Sequence, residues 1–192
     1  MAFGREEVGA EEFDLLFSAH HQYVYGLAQG LLGNPQDAED VTQEVFLRLY
    51  KALPRYDPQR ATMRTWLAHL TINACRTHRK RNFLRRLVNR SPHDADVEAD
   101  YVPDPSTWSA PESRVLRDEL RQAVRSVLDG LKWEHRAVLV LHYYMDMPCP
   151  EIARVMECPE GTVYSRLHHA RRLVQSKLEK GLLGPDGDWG AK

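Results

Sequence analysis

Apolar residues recur at helical spacing along much of the chain. From Glu12 to Leu32 they fall at Phe13, Leu16, Phe17, Val24, Leu27, Ala28 and Leu31, the stripe of an amphipathic helix. Gly33 is placed to end it, and Asn34 followed by Pro35 offers an N-cap and a first-position proline to the next helix. That second helix gathers Ala38, Val41, Val45, Phe46, Leu49 and Leu53 on one side. Its other side carries Asp37, Asp40, Gln43, Glu44, Arg48 and Lys51. After the turn-like P-R-Y-D-P at 54–58, a long helix is predicted from about Thr62 to Leu87. Trp66, Leu67, Leu70 and Ala74 form its apolar side, which assigns Trp66 to the core, while Arg64, His69, Asn73 and Arg76 lie outward.

The pattern then stops. Residues 91–111 hold four prolines and no periodicity, so they read as a flexible linker between two domains. Beyond it, helical segments are predicted over Val115–Leu128, Trp133–Tyr144, Pro150–Met156 and from Pro159 to about Lys180. The expected fold is all-α: a domain over 10–90, the linker over 91–111, a second domain over 112–180 and a tail over 181–192.

Charge sharpens this division. The formal net charge is only -1, yet nine basic residues and no acid lie between Pro58 and His93. From Ser91 to Glu112 the balance reverses, with six acids and no Lys or Arg. Three cysteines, Cys75, Cys149 and Cys158, are an odd number without C-x-x-C spacing and fit a reduced compartment. Glu6, Glu7, Glu11 and Glu12 break any signal-like apolar run, and no stretch of about 18 apolar residues occurs. A soluble, cytoplasmic protein without direct membrane insertion is expected.

Near the C-terminal end, Pro150–Met156 and the helix after Pro159 are separated by only a short turn, the layout of a helix-turn-helix. Val163 and Leu167 point inward, with Cys158 expected at the N-cap and Pro159 in the first turn. Glu160, Thr162, Ser165, Arg166 and His169 are expected outward, with Arg171 and Arg172 further along. Arg166 can pair bidentately with guanine, Glu160 can accept from a cytosine amino group, and Thr162 or Ser165 can touch a base edge or a phosphate. A solvated polar face on a core helix would carry similar residues.

Residues 131–180 resemble the promoter-reading domain of bacterial sigma factors, in the extracytoplasmic-function group of the sigma-70 family. The resemblance rests on R-A-V-L-V-L-H-Y-Y (136–144), E-I-A-R-V-M (151–156) and G-T-V-Y-S-R-L-H-H-A-R (161–171). In the first half, D-A-E-D-V-T-Q-E-V-F-L-R-L-Y (37–50) is similar to the segment by which that family binds core RNA polymerase. R-T-W-L-A-H-L-T-I-N-A-C-R-T-H-R-K-R (64–81) is similar to the segment that reads and melts the −10 element.

The resemblance implies a non-enzymatic initiation factor without a cofactor or metal. It places Asp37, Asp40, Gln43, Glu44 and Arg48 against core RNA polymerase, whose β′ clamp and β flap are the implied contacts. Asn73 falls where the family contacts the unpaired −10 strand, with Tyr56, Arg60 and Arg64 nearby and Arg76, Arg79, Lys80 and Arg81 as phosphate contacts. The −35 element falls to Glu160, Thr162, Tyr164, Ser165, Arg166, His169, Arg171 and Arg172. Tyr164 and His169 stand where many relatives carry a basic residue, and Pro148 where the family often has serine. An anti-sigma factor, often membrane-anchored, is a further implied partner. The acids of the linker either imitate nucleic acid in a positively charged channel or stay hydrated.

Three rivals explain less. A stand-alone helix-turn-helix regulator leaves the first ninety residues without a task. A metal hydrolase needs ligand spacing that the adjacent pairs His20-His21 and His168-His169 do not provide. A purely structural helical module gives no reason to collect basic residues in one acid-free segment.

Overall fold

The computed structural model describes residues 9–88, 124 and 126–182. Among the described residues, six helices with defined bounds carry the architecture: α1 (Ala10–Leu32), α2 (Pro35–Ala52), α3 (Met63–Val88), α4 (Trp133–Leu139), α5 (Cys149–Met156) and α6 (Glu160–Leu182). The fold is all-helical, with no strand among the described residues. The expected linker, the tail and most of the helix expected over Val115–Leu128 lie outside the described residues.

The helix ends follow from local chemistry. Gly33 adopts φ 75°, and its N–H donates to the Gln29 carbonyl at 2.9 Å, closing α1. Asn34 Oδ1 then accepts from the Asp37 N–H at 3.0 Å, and Pro35 occupies the first turn of α2. A short 3₁₀ turn at Leu53–Arg55 ends α2. Thr62 begins α3 by accepting from the Thr65 N–H at 3.2 Å. Buried Thr42 and Thr71 return their hydroxyls to the carbonyls of Ala38 and Leu67, each at 2.7 Å, so neither leaves an unpaired donor in the core.

One contiguous core runs through both halves of the chain. Val24, Leu27, Ala28 and Leu31 of α1 meet Val41, Val45 and Leu49 of α2 and Leu67, Ala68 and Ile72 of α3. From the second half it takes Ala137, Val138 and Leu141, then Ile152, Val155, Val163 and Leu167. Gly30 admits Val140 so closely that a β-carbon there would stand 2.9 Å from its Cγ1. Trp66, expected in the core, is only half-buried: one side packs on the core, and Tyr56 stacks beside it with ring centroids 4.9 Å apart.

α4 does not end as an ordinary helix. The turn that continues it, Val140–Tyr144, widens to π geometry, with the Met145 N–H reaching back to the Val140 carbonyl at 3.0 Å. The exposed Tyr143 and Tyr144 lie in that turn. α5 and α6 then form the expected pair. Pro148 caps α5 without a side-chain bond, and Pro150 lies in its first turn. α6 starts one residue later than the sequence suggests, since the Pro159 carbonyl accepts from the Thr162 N–H at 2.9 Å. Cys158 therefore precedes the cap.

Candidate nucleic-acid interface

The polar side of α2 resolves into a stripe and a flank. Gln36, Asp40, Gln43, Leu47 and Tyr50 recur every three or four residues and are all exposed. Asp37, Glu44 and Arg48 sit beside this stripe, half-buried, turned toward α3. Asp37 pairs with His78 at 2.9 Å, while Glu44 holds Arg48 and lies 3.8 Å from Arg81. Leu47, with 64% of its surface exposed, is the residue that pattern reading left out. Its signal was available: a lone leucine at the centre of a hydrophilic stripe, where burial in the chain's own core is not on offer.

On α3, Trp66, His69, Asn73, Arg76 and Lys80 fall at helical spacing on one side, grading from aromatic to cationic along the helix. Asn73 Oδ1 accepts from Arg76 at 3.5 Å, and its amide nitrogen is 3.2 Å from His69 Nε2. At the start of this stripe Tyr56 stacks on Trp66 and donates its hydroxyl to the Ala61 carbonyl at 3.1 Å. Burial, with the Asp57 carboxylate nearby, raises the Tyr56 phenol pKa, so it stays a neutral donor. Arg60 is exposed and 3.6 Å from Asp57.

The other basic residues of this region point elsewhere. The Arg64 guanidinium lies 4.7 Å over the Tyr23 ring, and that of Arg79 lies 4.7 Å over Trp133. Arg81 leans toward Glu44. The structure thus brings Tyr56, Asn73, Arg76 and Lys80 to one stripe and sets Arg64, Arg79 and Arg81 on other sides of α3. His69, outward in the sequence reading but not counted as functional, stands one turn before Asn73 and bonds to it.

On α6, Gly161, Ser165, His168 and Arg172 recur on the face opposite buried Val163, Leu167 and Ala170, with exposed Tyr164 and His169 beside them. Ser165 returns its hydroxyl to the Thr162 carbonyl at 3.0 Å. Arg166 sits on the flank, half-buried, its guanidinium 3.6 Å from Cys158 Sγ. Glu160 is exposed in the first turn and Thr162 is half-buried. Arg171 donates to the Tyr143 hydroxyl at 2.6 Å and covers its ring, tying α6 to the π turn. His168, weighed in the sequence only as half of an adjacent histidine pair, was not counted among the DNA-reading residues, although its spacing from Ser165 and Arg172 marks the outward face.

This surface has the chemistry of nucleic-acid binding: a short two-helix unit presenting the N-terminal half of its second helix, and a separate helix with an aromatic, amide and cationic stripe. Among the described residues no three His, Cys, Asp or Glu side chains converge as a metal site requires. No helix there is long and apolar enough to cross a membrane.

Known proteins resemble this chain along most of its length. Residues 16–85 match the family described as Sigma-70 region 2, and residues 121–174 match Sigma-70, region 4. The chain is 32% identical over 173 residues to the RNA polymerase sigma-H factor of Pseudomonas aeruginosa, covering 87% of this chain and 86% of that protein. It is 30% identical, with the same coverage, to the ECF RNA polymerase sigma-E factor of Escherichia coli K12. Among solved structures, the sigma factor RpoE in complex with the anti-sigma factor NepR from Bartonella quintana superposes with a TM-score of 0.67 at 18% identity, over 88% of this chain and 98% of that one. CnrH in complex with the cytosolic domain of CnrY gives 0.62 at 24% identity, over 89% and 90%. At those identities the two structures speak to the fold.

Proposed function

Because the chain belongs to the sigma-70 family, in its extracytoplasmic-function group, we propose that it reads a promoter through two separate faces while docked on core polymerase. It is an alternative sigma factor that directs transcription initiation with RNA polymerase. The finer assignment of faces to tasks is our reading.

The observation that carries it is the stripe on α3. An unpaired base needs an aromatic face to stack on and an amide to read its edge, with cations alongside for the flanking phosphates. Trp66 with Tyr56, then Asn73, then Arg76 and Lys80 supply these in order along one side. Arg60, Arg64, Arg79 and Arg81 add long-range positive potential around it, which favours strand capture without specifying sequence.

The second face is the outward side of α6. Ser165, His168 and Arg172, with Tyr164 and His169 beside them, enter the major groove of the −35 element. Glu160, Thr162 and Arg166 contribute from the first turns, and Arg171 from the flank. Arg166 leaves Cys158 to reach a base, since a guanidinium–thiol contact at 3.6 Å is weak beside a bidentate pair to guanine.

Docking to core polymerase uses the α2 stripe, with Asp40 and Gln43 around Leu47 and with Asp37, Glu44 and Arg48 on the edge. An exposed apolar side chain ringed by polar ones matches the apolar-centre, polar-rim anatomy of a protein interface. Related folds solved with anti-sigma factors support a partner of that kind here, acting in the cytoplasm where polymerase works. The protein performs no covalent chemistry of its own on this reading; its work is positioning.

Titration of core RNA polymerase with fluorescently labelled full chain tests the docking. Saturable binding that Leu47→Asp weakens about tenfold or more supports it. Absence of binding overturns the reading and returns the stand-alone DNA-binding regulator to first place.

A further inference from the structure

Glu157 holds a backbone conformation that suits glycine, with φ 53° and ψ 47°. It closes α5: its N–H donates to the Arg154 carbonyl at 3.3 Å, and the Cys158 N–H reaches the Ala153 carbonyl at 3.0 Å. That paired pattern ends helices through a left-handed residue, and glycine fills the position without steric cost. A glutamate there is a local sacrifice, and strain of this sort points to what the side chain does.

The side chain reaches into the other half of the chain. Glu157 Oε1 lies 3.0 Å from His69 Nε2 on α3, and Glu151 of the same helix accepts from the Thr65 hydroxyl at 3.0 Å. Both carboxylates therefore land beside the stripe that carries Asn73. His69 holds the Glu157 carboxyl below its usual pKa, first through the hydrogen bond and then through charge, with Arg76 adding to it. The same imidazole nitrogen is 3.2 Å from the Asn73 amide nitrogen. One ring nitrogen cannot donate to Glu157 and accept from Asn73 together, so Glu157 competes for the group that orients Asn73.

Resting on the sigma-factor reading, we propose that Glu157 is an autoinhibitory latch: projecting from a left-handed turn residue, it takes His69, lays α5 over the strand-reading stripe and keeps the free chain closed.

Distance shows that the packed form is not the initiating one. Elements named −35 and −10 lie about 25 base pairs apart, roughly 85 Å of duplex at about 3.4 Å per base pair. α3 and α5 touch through bonds of 3.0 Å, so α3 and α6 cannot occupy both elements until the halves separate. In the closed form the Glu157 carboxylate stands at His69 within reach of the Arg76 charge, where phosphates would approach Asn73 and Arg76. With 65% of its side chain exposed, Glu157 makes a modest bond, which suits a contact that must open.

The test is an intramolecular distance. Donor and acceptor dyes at exposed Gln36 on α2 and Ser176 on α6 report closure in the free full chain. Glu157→Gly removes the carboxylate and relieves the turn, so it folds, and it raises the open fraction roughly threefold to tenfold, the worth of one such hydrogen bond. Glu157→Gln, which keeps a bonding atom, gives a smaller rise. In a His69→Ala chain, Glu157→Gly adds nothing. An unchanged open fraction for Glu157→Gly overturns the latch, as does a full effect in the His69→Ala background, which would assign it to turn relief or lost charge. The distance needs no polymerase, so a chain that opens as expected yet never initiates transcription would defeat the sigma-factor reading and leave the latch standing.

Discussion

The Arg136 guanidinium donates to the main-chain carbonyl of Leu31 at 2.9 Å, across 105 residues of sequence. Leu31 lies in the last turn of α1, where carbonyls have no partner within the helix and the dipole is negative, so a buried cation satisfies both. Arg136 also donates to the Leu128 carbonyl at 3.0 Å and to Asp129 at 2.6 Å. One side chain therefore joins the two halves of the chain and holds the residues that lead into α4.

Replacing it leaves the buried Leu31 carbonyl without this donor and frees the part-buried Leu128 carbonyl and Asp129. Arg136→Ala is expected to cost about 3 kcal/mol, since hydrogen bonds to a charged group are each worth about 1.5–3 kcal/mol and some loss is recovered by water. Arg136→Lys recovers only part, because a single ammonium cannot serve three acceptors in a planar fork. Urea denaturation followed by circular dichroism measures both. A loss below about 0.5 kcal/mol for Arg136→Ala, the range of ordinary surface changes, would contradict this role.

Two glycines of α1 separate close packing from mere proximity. A β-carbon at Gly30 meets the Val140 side chain at 2.9 Å, inside a buried contact, so Gly30→Ala costs about 1–3 kcal/mol. At Gly26 the nearest atoms, at 3.0 Å, belong to the far end of the exposed Tyr144 ring, which can swing away. Gly26→Ala is expected to gain up to about 1 kcal/mol from helix propensity. Thermal melts of both variants should shift in opposite directions.

Acid should loosen the C-terminal half through His135. This residue is half-buried, its Nδ1 is buried without a hydrogen-bond partner, and its ring centroid is 4.7 Å from that of His169. Burial first, then the neighbouring His169, lowers its pKa despite the opposing pull of Glu134. The unfolded chain thus takes up a proton at higher pH than the folded one. The stabilisation is complete above about pH 6.5 and is lost as pH falls through the folded value. Urea midpoints measured from pH 7.5 to 5 should fall, and His135→Phe should flatten the slope; an identical slope in that variant refutes the assignment. His20, lowered by burial and by Arg64, accounts for part of what remains.

The cysteines should react in order of access. Cys75 is fully buried, and burial pushes its thiol far above the usual range, so it stays protonated in the folded chain. Cys149 is also buried, whereas Cys158 is half-buried at the α5–α6 turn. Timed alkylation with peptide mapping should label Cys158 first and Cys75 only on unfolding. Early labelling of Cys75 would contradict the packing of α3.

Much of this molecule is legible in its sequence, because helix ends and core faces are local matters. Gly33, Asn34 and Pro35 announce the α1–α2 corner by their own chemistry, and Ala38, Val41, Val45 and Leu49 announce the buried side of α2 by spacing. The helix-turn-helix was readable for the same reason. What spacing cannot convey is which distant group a side chain will meet. Nothing near Arg136 in the sequence names Leu31, and nothing near Glu157 names His69. Trp66 illustrates the intermediate case: its period is that of the core, yet Tyr56 arrives from a loop and turns its exposed edge into a stacked pair. Arg166 likewise has an outward register that its contact with Cys158 overrides in this conformation.

The central claim is that two faces of one chain direct core RNA polymerase to promoters, and run-off transcription tests it most directly. Purified core polymerase, fragmented genomic DNA from the source organism and the full chain should yield discrete new start sites that are absent without the chain. Asn73→Ala should reduce opening at those sites while leaving binding to an isolated −35 duplex intact, and Ser165→Ala with His168→Ala should do the reverse. Discrete starts with that division between the variants are the predicted result. Binding to core polymerase without any new start, or starts that neither set of substitutions affects, would contradict it.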